Sequence, residues 1–149
     1  MQYRVDITVP AAATSQLLWD ALADFGGFLN WAGGAEDEIR SEGEGIGMIR
    51  HLKMGGGELA ERMTECDSSS MTLGYDLVYG EPIGMKEYRA SIRVQAVASG
   101  GSELVWFGEF DPVADTTPES IQKLLPTLYE GMTQALDQYC LAKSVEATR

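Results

Sequence analysis

Four side chains that could do chemistry stand in four successive strand-like segments: Arg50, Glu61, Tyr75 and Tyr88. Alternate residues of an extended chain share a face. Arg50 therefore goes with Leu52 and Met54, Glu61 with Leu59 and Met63, Tyr75 with Leu73, Leu77 and Tyr79, and Tyr88 with Ala90, Ile92 and Val94. Leu104, Trp106, Gly108 and Phe110 make a further set. All are mostly apolar, so the four polar groups form a belt across an apolar wall. The opposite parity carries His51, Lys53, Arg62, Lys86, Arg89 and Arg93, as a solvated face should.

Turn lengths refine this. A two-residue turn at Gly55-Gly56, or a four-residue loop over 54–57, places Arg50 directly across from Glu61. A three-residue turn over 67–69 would set Glu61 opposite Tyr75, and a four-residue loop over 80–83 would set Tyr75 opposite Tyr88. Opposed side chains have Cβ atoms roughly 4.5–5.5 Å apart, within reach of hydrogen bonding, although a β-bulge would shift any of these pairings. Such a belt has three uses. It can orient the polar end of an apolar guest, with an anionic or carbonyl head suiting Arg50 and the phenols. It can act on that guest, with Glu61 as general acid or base and Arg50 and a tyrosine stabilising an enolate or a departing hydroxyl. Or it is a structural ion pair with tyrosines filling volume, against which stands the desolvation cost of two charges.

The elements that position these residues follow from periodicity. Residues 3–9 alternate as a strand that Pro10 should stop, and Leu18, Ala21, Leu22 and Phe25 mark an amphipathic helix over 13–24 that Gly26-Gly27 ends. A short helical turn is expected over 28–31. Six strands follow at 36–42, 47–54, 57–66, 70–79, 85–98 and 102–110, separated by Gly, Asp, Ser and Pro clusters that imply an antiparallel meander. Thr117-Pro118-Glu119 opens a long helix with a capping hydroxyl, a proline at its first position and an early acid. Its stripe runs Ile121, Leu124, Leu125, Leu128, Met132, Leu136 and Tyr139, with Pro126 expected to kink or break it. A frayed tail is expected over 143–149. The fold class is α+β: a single domain over 1–149 in which a curved seven-stranded antiparallel sheet wraps the terminal helix, with two short helices after the first strand.

Composition narrows the function classes. The net charge of −12 repels phosphate backbones and argues against nucleic acid as partner. No segment approaches eighteen apolar residues, so no membrane insertion is expected, and the start of the chain shows no secretory pattern, which points to the cytoplasm. Cys66 and Cys140 lack the spacing of a zinc or redox pair and read as buried apolar residues. His51, the sole histidine, lies at outer parity, and Glu36-Asp37-Glu38 lacks calcium-loop spacing, so neither a metal nor a cofactor is expected. Gly55-Gly56-Gly57 is not followed by Lys-Ser/Thr and reads as a hairpin rather than a phosphate loop. Met54, Met63, Met85 and Met132 read as core filler that also suits an adaptable cavity.

Taken in order, Trp19, Asp24-Phe25, Trp31, 47–50, Glu61-Arg62, Tyr75, Pro82, Tyr88, Trp106, Phe110-Asp111 and 129–136 give the chain a resemblance to the START-like (SRPBCC) superfamily. Within it, the chain resembles the polyketide cyclase/dehydrase and lipid transport proteins; plant abscisic acid receptors share the fold. The resemblance implies a helix-grip fold around an internal cavity. It implies that the positions of Glu61, Tyr75 and Tyr88 line that cavity, and that loops 54–58 and 79–84 stand at its mouth, where their glycines serve either a moving lid or plain turns.

Three functions are compatible. The first is binding or carrying a small hydrophobic molecule, such as a lipid or polyketide. Arg50, Glu61, Tyr75 and Tyr88 would meet its polar end, and Leu52, Met54, Leu59, Leu77, Trp106, Leu128 and Met132 its apolar body. The second is a cyclase- or dehydratase-type enzyme using Glu61 with Arg50 and Tyr75 or Tyr88. The third is an interaction module with a vestigial cavity, for which a homodimer is one form.

Overall fold

A computed structural model describes residues 1–147. Its element order is β1 (Tyr3–Ala11), α1 (Ser15–Ala23), a 3₁₀ segment (Phe25–Asn30), β2 (Glu38–Glu42), β3 (Ile49–Met54), β4 (Gly57–Asp67), β5 (Thr72–Tyr79), a 3₁₀ turn (Pro82–Gly84), β6 (Met85–Ala96), β7 (Ser102–Pro112) and α2 (Pro118–Ala147). The strands form one seven-stranded antiparallel sheet in the order β1-β7-β6-β5-β4-β3-β2. The meander from β2 to β7 is thus closed on its far side by β1. No helix among the described residues is long and apolar enough to cross a membrane.

Pro10 does not stop β1, which continues through Ala11 with Pro10 opposite Glu103. β1 is an edge strand, where a residue without an N–H sacrifices no ladder bond on the open side. Thr14 caps α1 by accepting from Leu17 N, and Thr117 caps α2 by accepting from Ser120 N at 3.3 Å. Pro126 lies inside α2 without ending it. Ile121 and Leu125 before it and Tyr129 after it are all buried, and that anchorage outweighs one missing hydrogen bond. The expected frayed tail is instead helical through Ala147; residues 148–149 lie outside the described residues.

One large core joins the inner sheet face to α1 and α2, with Trp106, Tyr129, Phe25 and Phe110 among its fully buried side chains. The buried stripe of α2 is Ile121, Leu125, Tyr129, Thr133, Leu136 and Cys140. Leu124 and Leu128, assigned to that stripe from sequence, are 43% and 38% exposed, so the true stripe is rotated by about one residue. Cys140 is buried as expected, but Cys66 is only half-buried. A second, smaller core forms where Phe28 and Ala32 cover Leu52, flanked by Met54, Leu59 and Ile39.

Candidate functional site

The β3–β4 hairpin turns through Gly55 and Gly56, both at positive φ (+59° and +82°), which is the two-residue turn that matches strand twist. This fixes Arg50 directly opposite Glu61, as expected. Both side chains are buried, at 5% and 8% exposure. Arg50 Nε donates to Glu61 Oε1 at 2.9 Å and Nη2 stands 2.8 Å from the same oxygen. Arg50 Nη1 donates to the Phe25 carbonyl at 3.2 Å. The guanidinium carbon lies 3.9 Å from the Phe25 ring centroid and 4.4 Å from that of Phe28. Its charge is thus neutralised by Glu61 and its faces are covered by rings contributed by the 3₁₀ segment. Glu61 Oε2, by contrast, takes no hydrogen bond among the described residues.

Two of the expected pairings are not formed. Glu61 faces Leu77, and Tyr75 faces Met63 on one side and Ala90 on the other. The β4–β5 connection pairs Asp67 with Thr72 around four residues, one more than expected, with Met71 at φ +51°. That length alone would send Tyr75 to the outer face. A bulge at Thr64 restores its parity, and a second bulge, at Val78, turns Tyr79 outward onto His51. Tyr79 therefore leaves the inner set.

The tyrosines nevertheless meet, diagonally rather than across. Tyr75 and Tyr88 rings are 6.0 Å apart with hydroxyls at 3.4 Å, and the Tyr88 hydroxyl also shares a hydrogen bond with Tyr129 of α2. Tyr129 stacks on Trp106 at 4.3 Å, while Trp106 Nε1 donates to Thr133 Oγ1 at 2.9 Å, which in turn donates to the Tyr129 carbonyl at 2.8 Å. Gly108 makes room for this: a Cβ there would sit 2.4 Å from the Tyr129 hydroxyl oxygen. Burial pushes all three phenols well above the ordinary tyrosine range, and the Glu61 charge adds to this for Tyr75 and Tyr129. They keep their protons at neutral pH. Three O–H protons serve two mutual hydrogen bonds, so one donor in this chain has no protein acceptor.

These groups surround a cavity of about 120 Å³ between the sheet and α2. Of the side chains singled out from sequence, Arg50, Glu61, Tyr75, Tyr88, Trp106, Leu128 and Met132 line it. Leu52, Met54 and Leu59 do not: they belong to the smaller core under Phe28. Leu77 packs against the main core without reaching the cavity. Lining residues that sequence reasoning did not single out as ligand contacts include Leu22, Leu73, Met85, Ile92, Leu125 and Tyr129, together with Asp24, Phe28, Trp31 and Pro82. The more exposed of the lining residues, Asp24, Trp31, Pro82, Leu128 and Met132, mark where the cavity approaches solvent. Trp31 Nε1 is buried without an acceptor among the described residues.

Neither expected mouth loop needs a lid to explain its glycines. Gly55 and Gly56 make the hairpin turn, and Gly80, at φ +104°, lies where a Cβ would meet the Glu58 carbonyl at 2.7 Å. Only the second loop, through Pro82, reaches the cavity. On the outer face, His51 shares a hydrogen bond with Tyr79 at 2.9 Å and contacts Glu42 at 3.0 Å.

This architecture recurs in solved structures. A protein of Bacillus thuringiensis described as uncharacterized superposes with a TM-score of 0.77 at 22% identity, covering 93% of this chain and 99% of that one. XoxI from Bacillus cereus gives 0.76 at 22%, covering 94% and 96%. A norcoclaurine synthase point mutant from Thalictrum flavum, solved with a transition-state analogue, gives 0.72 at 17%, covering 95% and 96%. At these identities the likeness establishes the START-like helix-grip fold. No curated protein matches the chain. A family model does, over residues 2–140, and the chain accordingly belongs to the polyketide cyclase/dehydrase and lipid transport family.

Proposed function

We propose that this protein binds a small, largely apolar, ring-sized molecule between its sheet and α2. The observation that carries this is the cavity itself. Aromatic and aliphatic walls enclose a few polar groups whose hydrogen-bonding capacity the protein leaves partly unused: Glu61 Oε2, one phenolic proton and Trp31 Nε1. Of these, Trp31 Nε1 is fully buried; native proteins rarely leave such a group unpaired, and a guest against the cavity wall can supply missing partners. The volume, about 120 Å³, limits the guest to one ring at most, since an apolar hole of roughly 150 Å³ takes a benzene ring. A long acyl chain would require the walls at Pro82 or Leu128 to move.

Native mass spectrometry of gently purified protein tests this reading. A small organic molecule retained on the folded chain and lost on unfolding is the expected result. Protein that stays empty both as purified and after exposure to a panel of ring-sized apolar compounds would overturn it.

A second reading, an enzyme of the cyclase or dehydratase type, is favoured by the same bare Glu61 Oε2. A carboxylate oxygen at a cavity wall, next to protonated phenols with one donor to spare, has the layout of a general base beside an oxyanion-stabilising group. Under this reading Glu61→Gln abolishes turnover of a β-keto thioester in a folded protein; unchanged turnover rejects it.

A further inference from the structure

Resting on the reading that the cavity holds a guest, we infer that the guest presents a hydrogen-bond-donating head, a hydroxyl or an amine, to Glu61 Oε2, and that the site discriminates against carboxylates. Sequence reasoning favoured an anionic or carbonyl head for Arg50, but the geometry reverses the anionic choice. Arg50 Nε donates to Glu61 Oε1, Nη2 stands 2.8 Å from the same oxygen, and Nη1 donates to the Phe25 carbonyl, with aromatic rings 3.9 and 4.4 Å from the guanidinium carbon. The charge of the cation is thus already neutralised inside the protein by Glu61.

What faces a guest is of the other sign. The charged residues lining the cavity are Arg50, Glu61 and Asp24, so with Arg50 neutralised by Glu61 the balance is one negative charge, in a chain whose net charge is −12. A guest carboxylate near Oε2 would place two anions together where little water screens them. A hydroxyl or ammonium there would instead donate to a carboxylate oxygen that takes no hydrogen bond from the described residues. An oxygen elsewhere on the same guest could accept the unspent phenolic proton or Trp31 N–H, so the cavity accommodates acceptors as well, provided they are uncharged.

Four probes on one scaffold test this: toluene, benzyl alcohol, benzylamine and benzoate, each titrated into the 15N-labelled full chain and followed by the amide signals of cavity residues. Benzyl alcohol and benzylamine should bind at least about tenfold more tightly than benzoate, the effect of a hydrogen bond to a charged group. Toluene should fall between. In Glu61→Gln the advantage over benzoate should shrink to about threefold or less, because the repelling charge is gone. Benzoate binding as tightly as benzyl alcohol to the wild type would overturn the inference while leaving the cavity reading intact. If none of the four, toluene included, perturbs cavity signals, the cavity reading falls and the inference with it. The wild-type ranking decides the matter even if the variant fails to fold.

Discussion

Arg50 and His51 are neighbours in β3, and each meets an acid and a tyrosine, but on opposite faces of the sheet. Inside, Arg50 pairs with Glu61 beneath Tyr75; outside, His51 lies between Glu42 and Tyr79. A basic side chain, an acid and a phenol thus meet twice, once on each face of the sheet. Glu42 and Tyr79 are exposed, so water competes for every bond in the outer group and salt screens its charges. The inner pair is desolvated. Its two ions depend on each other, and any polar atom left over depends on a guest. The difference teaches that the identity of a triplet says little until burial is known.

The comparison breaks most sharply at Glu61. Glu61→Ala leaves a buried guanidinium without its counterion and should destabilise the fold by about 3–5 kcal/mol in urea denaturation. Combining Arg50→Met with Glu61→Leu should recover most of that loss, since no isolated charge then remains, while abolishing the preference for hydrogen-bond-donating probes. If the double variant stays as unstable as Glu61→Ala, the pair is not the source of the cost.

Gly108→Ala comes next. The added methyl collides with the Tyr129 hydroxyl and should cost about 1–3 kcal/mol, weakening probe binding through loss of the phenol chain. Unchanged stability and binding would show that Tyr129 moves freely. The outer group should respond least: Glu42→Ala should shift stability by no more than about 0.5 kcal/mol and leave probe binding unaltered. A larger loss there would erase the contrast between the faces.

Much of this was legible in the sequence because strand parity is robust. The inner face, the Arg50–Glu61 pairing and the cap at Thr117 follow from alternation, a Gly-Gly turn and a hydroxyl before proline. The bulges at Thr64 and Val78 were not legible: each adds one residue on one strand, and no side chain there announces it. With the longer turn, the first leaves Tyr75 two positions from its expected partner, and the second sends Tyr79 outside. Nor could parity show that Leu52 would be buried under Phe28 with Met54 and Leu59 half-buried beside it, because the 3₁₀ segment that supplies Phe28 is distant in sequence. Tyr129 could have been found. It continues the four-residue spacing from Ile121 and Leu125, and a glycine at 108 amid Leu104, Trp106 and Phe110 marks where a large side chain from another element must fit.

The most direct test of an occupied hollow between sheet and helix uses the methionines, with protein labelled at their 13C-methyl groups and saturated with benzyl alcohol. Met85 and Met132 line the cavity, whereas Met54, which like Met132 packs against the smaller core, does not. Nuclear Overhauser contacts from the probe's ring protons to the Met85 and Met132 methyls, and none to Met54, are the expected result. Contacts confined to Met54, or none to any methionine at saturation, would contradict the account.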